Sequence, residues 1–124
     1  MRAVRAPRGE KSYAPFTARA VAIIRAIPKG KVATYAQLAG VAGSPLAARQ
    51  VVRVLHTLSR VERLPWHRVI GSSGSISLLP GAGFEEQKAL LEAEGIAVSE
   101  DGRVNLKKYL WKPRLNEKET PMRP

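Results

Sequence analysis

Few side chains in this sequence could carry out chemistry. Two histidines, His56 and His67, and one aspartate accompany the glutamates, and cysteine is absent. Thiolate metal sites, Fe–S clusters, disulfides and thiol nucleophiles are therefore excluded. No spacing of His with Glu matches a metal-ligand pattern. We therefore predict neither a metal nor a cofactor.

The sequence contains only weak candidates for the residues of a hydrolytic site. A serine nucleophile needs an adjacent base, and the serines after His67 lie in a Gly/Ser stretch that is more simply a loop. The carboxylates of residues 85–94 are typical of the solvated face of a helix. A glycosylase-like hydrolase that uses His67 and Glu94 stays open as an alternative.

Trp66 is the unusual aromatic residue. It stands between Pro65 and a His-Arg pair, just after a basic segment. Composition favours a core anchor, and an aromatic that stacks on a nucleic-acid base is the alternative. Stacking on an extruded base is worth roughly 1–3 kcal/mol, which matters when a flipped base must offset its lost pairing.

Positive charge is concentrated in the first half of the chain. The 124 residues include 21 Lys and Arg against 10 Asp and Glu. Residues 1–68 hold 13 bases and two acids, whereas residues 69–124 hold eight of each. This segregation favours a polyanion-binding face, with nucleic acid ahead of an anionic membrane, although a merely soluble basic surface stays open.

No apolar run approaches the ~20 residues that a membrane span needs. Residues 1–10 also lack the apolar stretch of a signal peptide. We therefore expect an intracellular protein with no membrane partner.

Helical patterns in the first half must position these residues. The first predicted helix lies behind Thr17 as its N-cap, and Pro28 and Gly30 stop it. Its apolar positions are Phe16, Ala20, Ile23, Ile24 and Ile27. Next, Thr34 and Gln37 have the spacing of a capping box. They open a short helix that runs from Tyr35 to about Val41 and that Gly43 ends.

A second helix follows at once and has two different faces. Ser44 is its predicted N-cap, Pro45 takes its first position and it runs to about Ser59. Its core stripe is Ala47, Val51, Val54, Leu55 and Leu58, and its basic stripe is Arg49, Arg53, His56 and Arg60. The pair of short helices forms a helix-turn-helix pattern, which favours DNA binding.

The second half predicts small β-elements around one helix. Apolar runs on either side of residues 71–74 predict a β-hairpin. A helix from Phe84 to Glu94 ends at Gly95, and a second small hairpin spans residues 96–106. Tyr109 and Trp111 are predicted to pack back on the core. Residues 15–113 form one domain, flanked by a basic flexible segment 1–14 and a flexible tail 114–124.

The motifs, taken in order, match a known family. Thr34-Tyr35, Ala47-Ala48-Arg49 and Pro65-Trp66-His67-Arg68-Val69 resemble the DNA-binding and active-site domain of the O6-alkylguanine-DNA alkyltransferases. In that family's Pro-Cys-His-Arg-Val motif the Cys accepts the alkyl group, and Trp66 stands at its place. Together with the closing segment 104–113, this is similar to the alkyltransferase-like proteins, the non-enzymatic branch.

The resemblance implies a fold and a DNA-binding mode. The fold is mainly α with small β-hairpins (α+β), a winged-helix-like helix-turn-helix domain as in the alkyltransferase C-terminal domain. The helix-turn-helix would enter the minor groove with Tyr35, Ser44, Ala47, Ala48, Arg49 and Arg53. Arg49 matches an arginine finger that holds open the gap left by the flipped nucleotide. Tyr35 matches a tyrosine that helps to rotate that nucleotide outward.

The resemblance also implies a pocket for the flipped guanine, formed by Tyr35, Pro65, Trp66, Val69 and Gly81. His67 and Glu94 match residues that activate the thiol in the transferring enzymes. Here they have nothing to activate, because the nitrogen lone pair of an indole belongs to its aromatic system. No enzymatic activity is therefore expected.

The implied function is recognition of O6-alkylguanine in double-stranded DNA by base flipping. The bound lesion would be directed to nucleotide excision repair through damage-recognition proteins of the UvrA type. The protein would act as a nucleoid-associated, cytoplasmic monomer. Leu58 stands where the transferring enzymes usually carry Asn, and Leu79 lies in a loop where some relatives place Arg. A sequence-specific helix-turn-helix regulator is the alternative function.

Overall fold

The computed structural model describes residues 13–44 and 46–113. Within them the chain is mostly helical, with one two-stranded sheet and a 3₁₀ turn, Trp66–Arg68. The predicted flexible segments lie outside the described residues, apart from residues 13 and 14. The elements are α1 Pro15–Arg25, β1 Ala33–Thr34, α2 Tyr35–Val41, α3 Ala48–Glu62, β2 Val69–Ile70, α4 Phe84–Ala93 and α5 Leu106–Tyr109.

Helix α1 begins three residues earlier than the sequence predicted, with Ala14 and not Thr17 as its N-cap. Pro15 occupies its first turn, where a missing N–H costs nothing. Ala18 N already donates to Ala14 O at 2.9 Å, so Thr17 lies inside the helix and the prediction that it is the N-cap was wrong. Ala20 and Ile24 are fully buried on the predicted face.

Helix α2 has the predicted capping box. Gln37 N donates to Thr34 Oγ1 at 3.1 Å, and Thr34 N donates to Gln37 Oε1 at 3.2 Å. At the other end Gly43 has φ +99°, and Ser44 N donates to Ala39 O at 2.9 Å. This is a Schellman closure, in which a glycine takes the left-handed conformation.

The predicted start of the next helix was wrong. Ser44 does not cap it, because the backbone N–H of Ser44 closes α2 and its carbonyl accepts Ala47 N in a turn. Helix α3 therefore begins at Ala48, with Ala47 as an N-cap that makes no side-chain hydrogen bond. Pro45, predicted as the first helical residue, lies outside the described residues.

Helix α3 also continues past the predicted end at Ser59. A long-range contact holds its last turn, because Arg25 Nη2 of α1 pairs with the buried Glu62 carboxylate at 2.8 Å. Arg63 then adopts φ +55°, and Leu64 N donates to Ser59 O at 2.9 Å. The pattern of apolar spacing within α3 contains no trace of this contact.

The first predicted hairpin was wrong. Val69 and Ile70 pair in parallel with Ala33 and Thr34, and Ser75 instead pairs antiparallel with Arg103. Both short strands are buried, so each gains more from packing between the two parts of the core than from pairing with a solvent-exposed neighbour.

The second hairpin is confirmed by the antiparallel bridge between Val98 and Val104. Helix α4 ends at Ala93. Gly95 follows with φ +88°, in agreement with the prediction that this glycine ends the helix. Trp111 packs against the helical core, and Tyr109 packs against a second core beneath α4.

The buried residues form two clusters on either side of the sheet. One lies between α1, α2 and α3, and the other joins α4 to the segments around Ile96 and Val104. Val69 belongs to the first cluster and Ile70 to the second, so strand β2 links them. Among residues 13–44 and 46–113, no helix is long and apolar enough to cross a bilayer.

Candidate nucleic-acid interface and base pocket

A cavity of about 640 Å³ lies between α3, the first residue of α2, the 3₁₀ turn and the loop before α4. Its volume is within the ~300–1,000 Å³ typical of small-molecule sites. The described residues that line it are Tyr35, Val52, Leu55, His56, Ser59, Arg60, Arg63, Leu64, Trp66, Val69, Leu78, Ala82 and Gln87.

Trp66 forms part of the cavity wall. It is half-buried, so it is neither a core anchor nor a freely exposed ring. Its backbone N–H donates to Leu64 O at 2.8 Å, and its ring meets the His67 ring edge-on, with centroids 6.1 Å apart. These contacts position an aromatic surface at the cavity.

Gln87 fixes the segment that carries Trp66. This buried side chain of α4 donates from Nε2 to His67 O and to Val69 O, both at 3.0 Å. One amide thereby holds two backbone carbonyls, one within the turn and one directly after it. The position of the 3₁₀ turn thus depends on α4, which lies far from it in sequence.

Tyr35 also lines this cavity. As the first residue of α2, it directly follows the capping residue Thr34. Its hydroxyl lies 3.2 Å from Ser77 Oγ, within hydrogen-bond distance. Tyr35 therefore connects the start of α2 with the loop that precedes α4.

A smaller cavity of about 360 Å³ adjoins the first one. Its described lining residues are Tyr35, Ala36, Ala48, Arg49, Val52 and Ser72. Tyr35 and Val52 line both cavities, so the two cavities are neighbours that share this part of their walls. Arg49 is thus next to the Trp66 cavity but outside it.

The residues of the predicted basic stripe of α3 lie in different places. Arg49 lines the small cavity, whereas His56 and Arg60 line the large one. Arg53 is exposed and lines neither. Sequence reasoning missed Arg63, although Val52, Leu55, Ser59 and Arg63 continue one helical face at intervals of three and four residues.

His67 and Glu94, which the sequence paired by resemblance, do meet. His67 Nε2 lies 2.8 Å from Glu94 Oε2. Arg68, to which the sequence assigned no role, also binds this carboxylate through Nη2 at 2.7 Å and Nε at 3.0 Å. Gly30 N donates to the same carboxylate at 3.1 Å, and Arg68 Nη1 donates to Ile27 O at 2.9 Å.

The environment of Glu94 keeps it ionised. Burial alone would raise its pKa, but the hydrogen bonds from Arg68 and then His67 outweigh burial and lower the pKa of Glu94 to about 2. A group with so low a pKa is a poor proton donor or acceptor near neutral pH. The contacts of Glu94 with Arg68 and His67 therefore suit a structural ion pair, a tie between parts of the fold, better than acid–base catalysis.

Other predicted site residues lie elsewhere. Ser44 closes α2, and Ala47 is buried, so packing accounts for its small side chain. Pro65 and Gly81 are not among the described lining residues, whereas their neighbours Leu64 and Ala82 are. Within residues 13–44 and 46–113, no three His, Asp or Glu side chains are grouped so that they could hold a metal ion.

Comparison with known proteins gives consistent matches. The profile described as 6-O-methylguanine DNA methyltransferase, DNA binding domain, matches residues 15–96. The chain is similar to a DNA base-flipping protein of Vibrio parahaemolyticus, with 50% identity over 79% of this chain and 97% of that protein. A protein of the same name from Escherichia coli is 47% identical over 77% of this chain and 74% of its own length.

A solved structure gives the same relationship. Schizosaccharomyces pombe Atl1, in complex with damaged DNA containing O6-carboxymethylguanine, aligns with a TM-score of 0.70 and 40% identity. The alignment covers 79% of this chain and 95% of that one. The mainly helical fold with a small sheet is therefore the fold of that protein.

Proposed function

The chain belongs to the family of the 6-O-methylguanine DNA methyltransferase DNA-binding domain and resembles its alkyltransferase-like members, and from that premise we propose a function. The protein binds double-stranded DNA in the minor groove and flips O6-alkylguanine into the Trp66 cavity. It holds the lesion there without alkyl transfer. The observation that carries this proposal is the shared wall between the Arg49 cavity and the Trp66 cavity.

Because the two cavities share part of their walls, the side chain that would fill the gap in the DNA lies close to the cavity that would hold the flipped base. Arg49, at the start of α3, enters the base stack and occupies the gap. The rotated nucleotide passes Tyr35, which borders both cavities, and its base reaches Trp66. Arg49 makes no ion pair with a described acid, so its guanidinium is available for DNA.

The energies favour a damaged base over a normal one. Extrusion costs a few kcal/mol, and this cost is least for a base whose pairing is already weakened. Stacking of the base on Trp66 contributes roughly 1–3 kcal/mol of favourable free energy. Since stacking only offsets part of the cost of opening a sound pair, selectivity arises from the weaker pairing of the alkylated base.

Alkyl transfer does not follow binding. Trp66 occupies the position that resembles the acceptor Cys, its indole offers no nucleophile, and the sequence contains no cysteine. Arg68 holds Glu94 as a carboxylate of very low pKa, so the His67–Glu94 pair does not supply a proton relay. The remaining activity is recognition.

Binding to matched duplexes tests this proposal. We expect tighter binding of a duplex with O6-methylguanine than of the same duplex with guanine at physiological salt, where non-specific binding of basic proteins is weak. Mass analysis of the oligonucleotide after incubation should show it unchanged. Equal affinities, or any loss of base or alkyl group, would contradict the proposal. Enrichment of a defined undamaged sequence from a random pool would favour the regulator instead.

Arg49 and Arg53 provide a matched pair of variants, because they lie one turn apart on α3 and both are exposed. Arg49→Ala should reduce the preference for the alkylated duplex, since it removes the side chain next to the cavity wall. Arg53→Ala should weaken both duplexes to the same extent. Ser44 and Ala48 lie close to the start of α3, and we place them with Arg53 at the DNA, whereas the buried Ala47 packs inside the protein.

We further propose that the bound lesion is passed to nucleotide excision repair proteins. A protein that binds damage without repairing it needs a partner that removes the lesion. Capture from a cell extract on alkylated DNA, with and without this protein, tests that step. Recovery of excision-repair proteins only when both are present is the expected result, and equal recovery without the protein would contradict it.

A further inference from the structure

The Trp66 cavity has a positively charged wall at the end of α3. Arg60, in the last turn of that helix, and Arg63, just after it, both line the cavity. With a rise of 1.5 Å per residue, Arg60 lies about 16 Å along the helix from Arg49. These two residues therefore lie at the end of the cavity that is remote from Arg49 and from the proposed entry of the base.

No negative charge on the described lining opposes this wall. None of the described residues that line the cavity is acidic. Neither Arg60 nor Arg63 forms an ion pair with a described acid, because the nearby Glu62 turns away and pairs with Arg25. The end of α3 contributes about half a negative charge through its dipole. Two guanidiniums exceed that charge, so the wall stays positive.

The other residues that line the cavity strengthen the attraction between this positive charge and an anionic group. Leu55, Leu64, Val69 and Leu78 surround the cavity with apolar groups, which lower the local dielectric. Guanidinium groups bind carboxylates through paired hydrogen bonds. Next to them, His56 offers a further polar group on the same face of α3. A carboxylate at the end of the substituent on the base would complement this end of the cavity.

We infer that the protein prefers O6-alkylguanines whose substituent ends in a carboxylate over neutral substituents of the same size, because Arg60 and Arg63 line the end of the Trp66 cavity. This inference rests on the proposed function, since it requires the base to enter that cavity. It adds the chemical class of the lesion and the two residues that select it.

The test uses one duplex sequence with four different central bases. These are guanine, O6-methylguanine, O6-carboxymethylguanine and its neutral isostere O6-carbamoylmethylguanine. Dissociation constants are measured with the full chain at fixed physiological salt. We expect the carboxylate duplex to bind roughly 5- to 20-fold more tightly than the amide duplex, the order expected from two partly exposed ion pairs.

Variants assign the preference to the two arginines. Arg60→Gln and Arg63→Gln should each reduce the ratio of the two constants, and the double variant should bring it close to one. Arg53→Gln is the matched control, because it removes the same charge from the same helix outside the cavity. It should weaken all four duplexes equally and leave the ratio unchanged. Thermal unfolding of each variant verifies that it is folded at the assay temperature.

The outcomes separate the inference from the function beneath it. If no alkylated duplex binds better than guanine, the proposed function fails. If alkylated duplexes bind better but the carboxylate and amide duplexes bind alike, only this inference is overturned. A ratio that falls as much in Arg53→Gln as in Arg63→Gln also overturns it, since the preference would then reflect net charge alone.

Discussion

The tie between Glu94 and Arg68 predicts a large loss of stability in Glu94→Gln. The substitution keeps the size of the side chain but removes its charge and faces Arg68 with an amide N–H₂ or a weaker acceptor. Arg68 is only 17% exposed in its side chain, and Glu94 is 9% exposed. Breaking a buried pair costs about 3–5 kcal/mol, so we expect about 2–4 kcal/mol at this partly covered site. The measurement is urea unfolding at pH 7.

Glu92→Gln is the matched control, because Glu92 lies in the last turn of α4, two residues before Glu94. Glu92 also pairs with a cation, Lys88, at 2.9 Å, but its side chain is 45% exposed. Such a pair contributes about 0.3–0.5 kcal/mol. A loss in Glu94→Gln no larger than that in Glu92→Gln would refute the assignment of Glu94 as a structural tie.

Acid should remove the difference between the wild type and Glu94→Gln. The hydrogen bonds from Arg68 and His67 lower the pKa of Glu94 to about 2 in the folded protein, from an ordinary value of 4.5. A lowered folded pKa stabilises the protein above the unfolded pKa, and that stabilisation is lost as the pH falls through the folded pKa. The free energy difference between the two proteins should therefore be complete above about pH 5 and shrink toward pH 2. A difference that stays constant over this range would contradict the mechanism.

Three further predictions concern other parts of the molecule. Trp66→Ala should weaken binding of the alkylated duplex by roughly 5- to 150-fold, the equivalent of 1–3 kcal/mol of stacking, and leave the unmodified duplex unchanged in a fluorescence titration. Gly102→Ala should lower the free energy of unfolding by more than 2 kcal/mol in urea, since its new Cβ would lie 2.5 Å from Phe84 Cε2 at φ +86°. Gly95→Ala, with a similar φ but open space, should cost only about 1 kcal/mol. Ser59→Ala should be neutral or raise the melting temperature, because the buried Oγ has no described hydrogen-bond partner.

Local sequence signals predicted the elements that depend on neighbouring residues. The capping box of Thr34 and Gln37 and the closing Gly43 are contacts within one turn, and both are present. The end of α3 was missed because it depends on Arg25, which lies 37 residues away from Glu62. Local patterns contain no information about such a partner.

The parallel strand pair was missed for a similar reason. Its first partners, Ala33 and Val69, are separated by two helices, while the Gly/Ser stretch at residues 71–74 favoured a local hairpin. Tyr35, Trp66 and Val69 were placed in one pocket by resemblance, and the cavity brings these three together. Gln87 lines it through tertiary packing and had no separate signal, whereas Arg63 could have been found from the helical spacing that it continues.

The parallel pairing of Ala33–Thr34 with Val69–Ile70 has a kinetic consequence. Tyr35 follows one strand directly and the 3₁₀ turn of Trp66 precedes the other, so four buried residues set the spacing of the two sides of the cavity. The entropy of arranging those sides is lost when the chain folds and not when a base arrives. Under the proposed function, binding does not alter the protein covalently. The residence time of the base in the cavity therefore sets how long the lesion stays marked. One molecule can then dissociate and mark lesion after lesion, whereas a protein that accepts the alkyl group covalently serves only once.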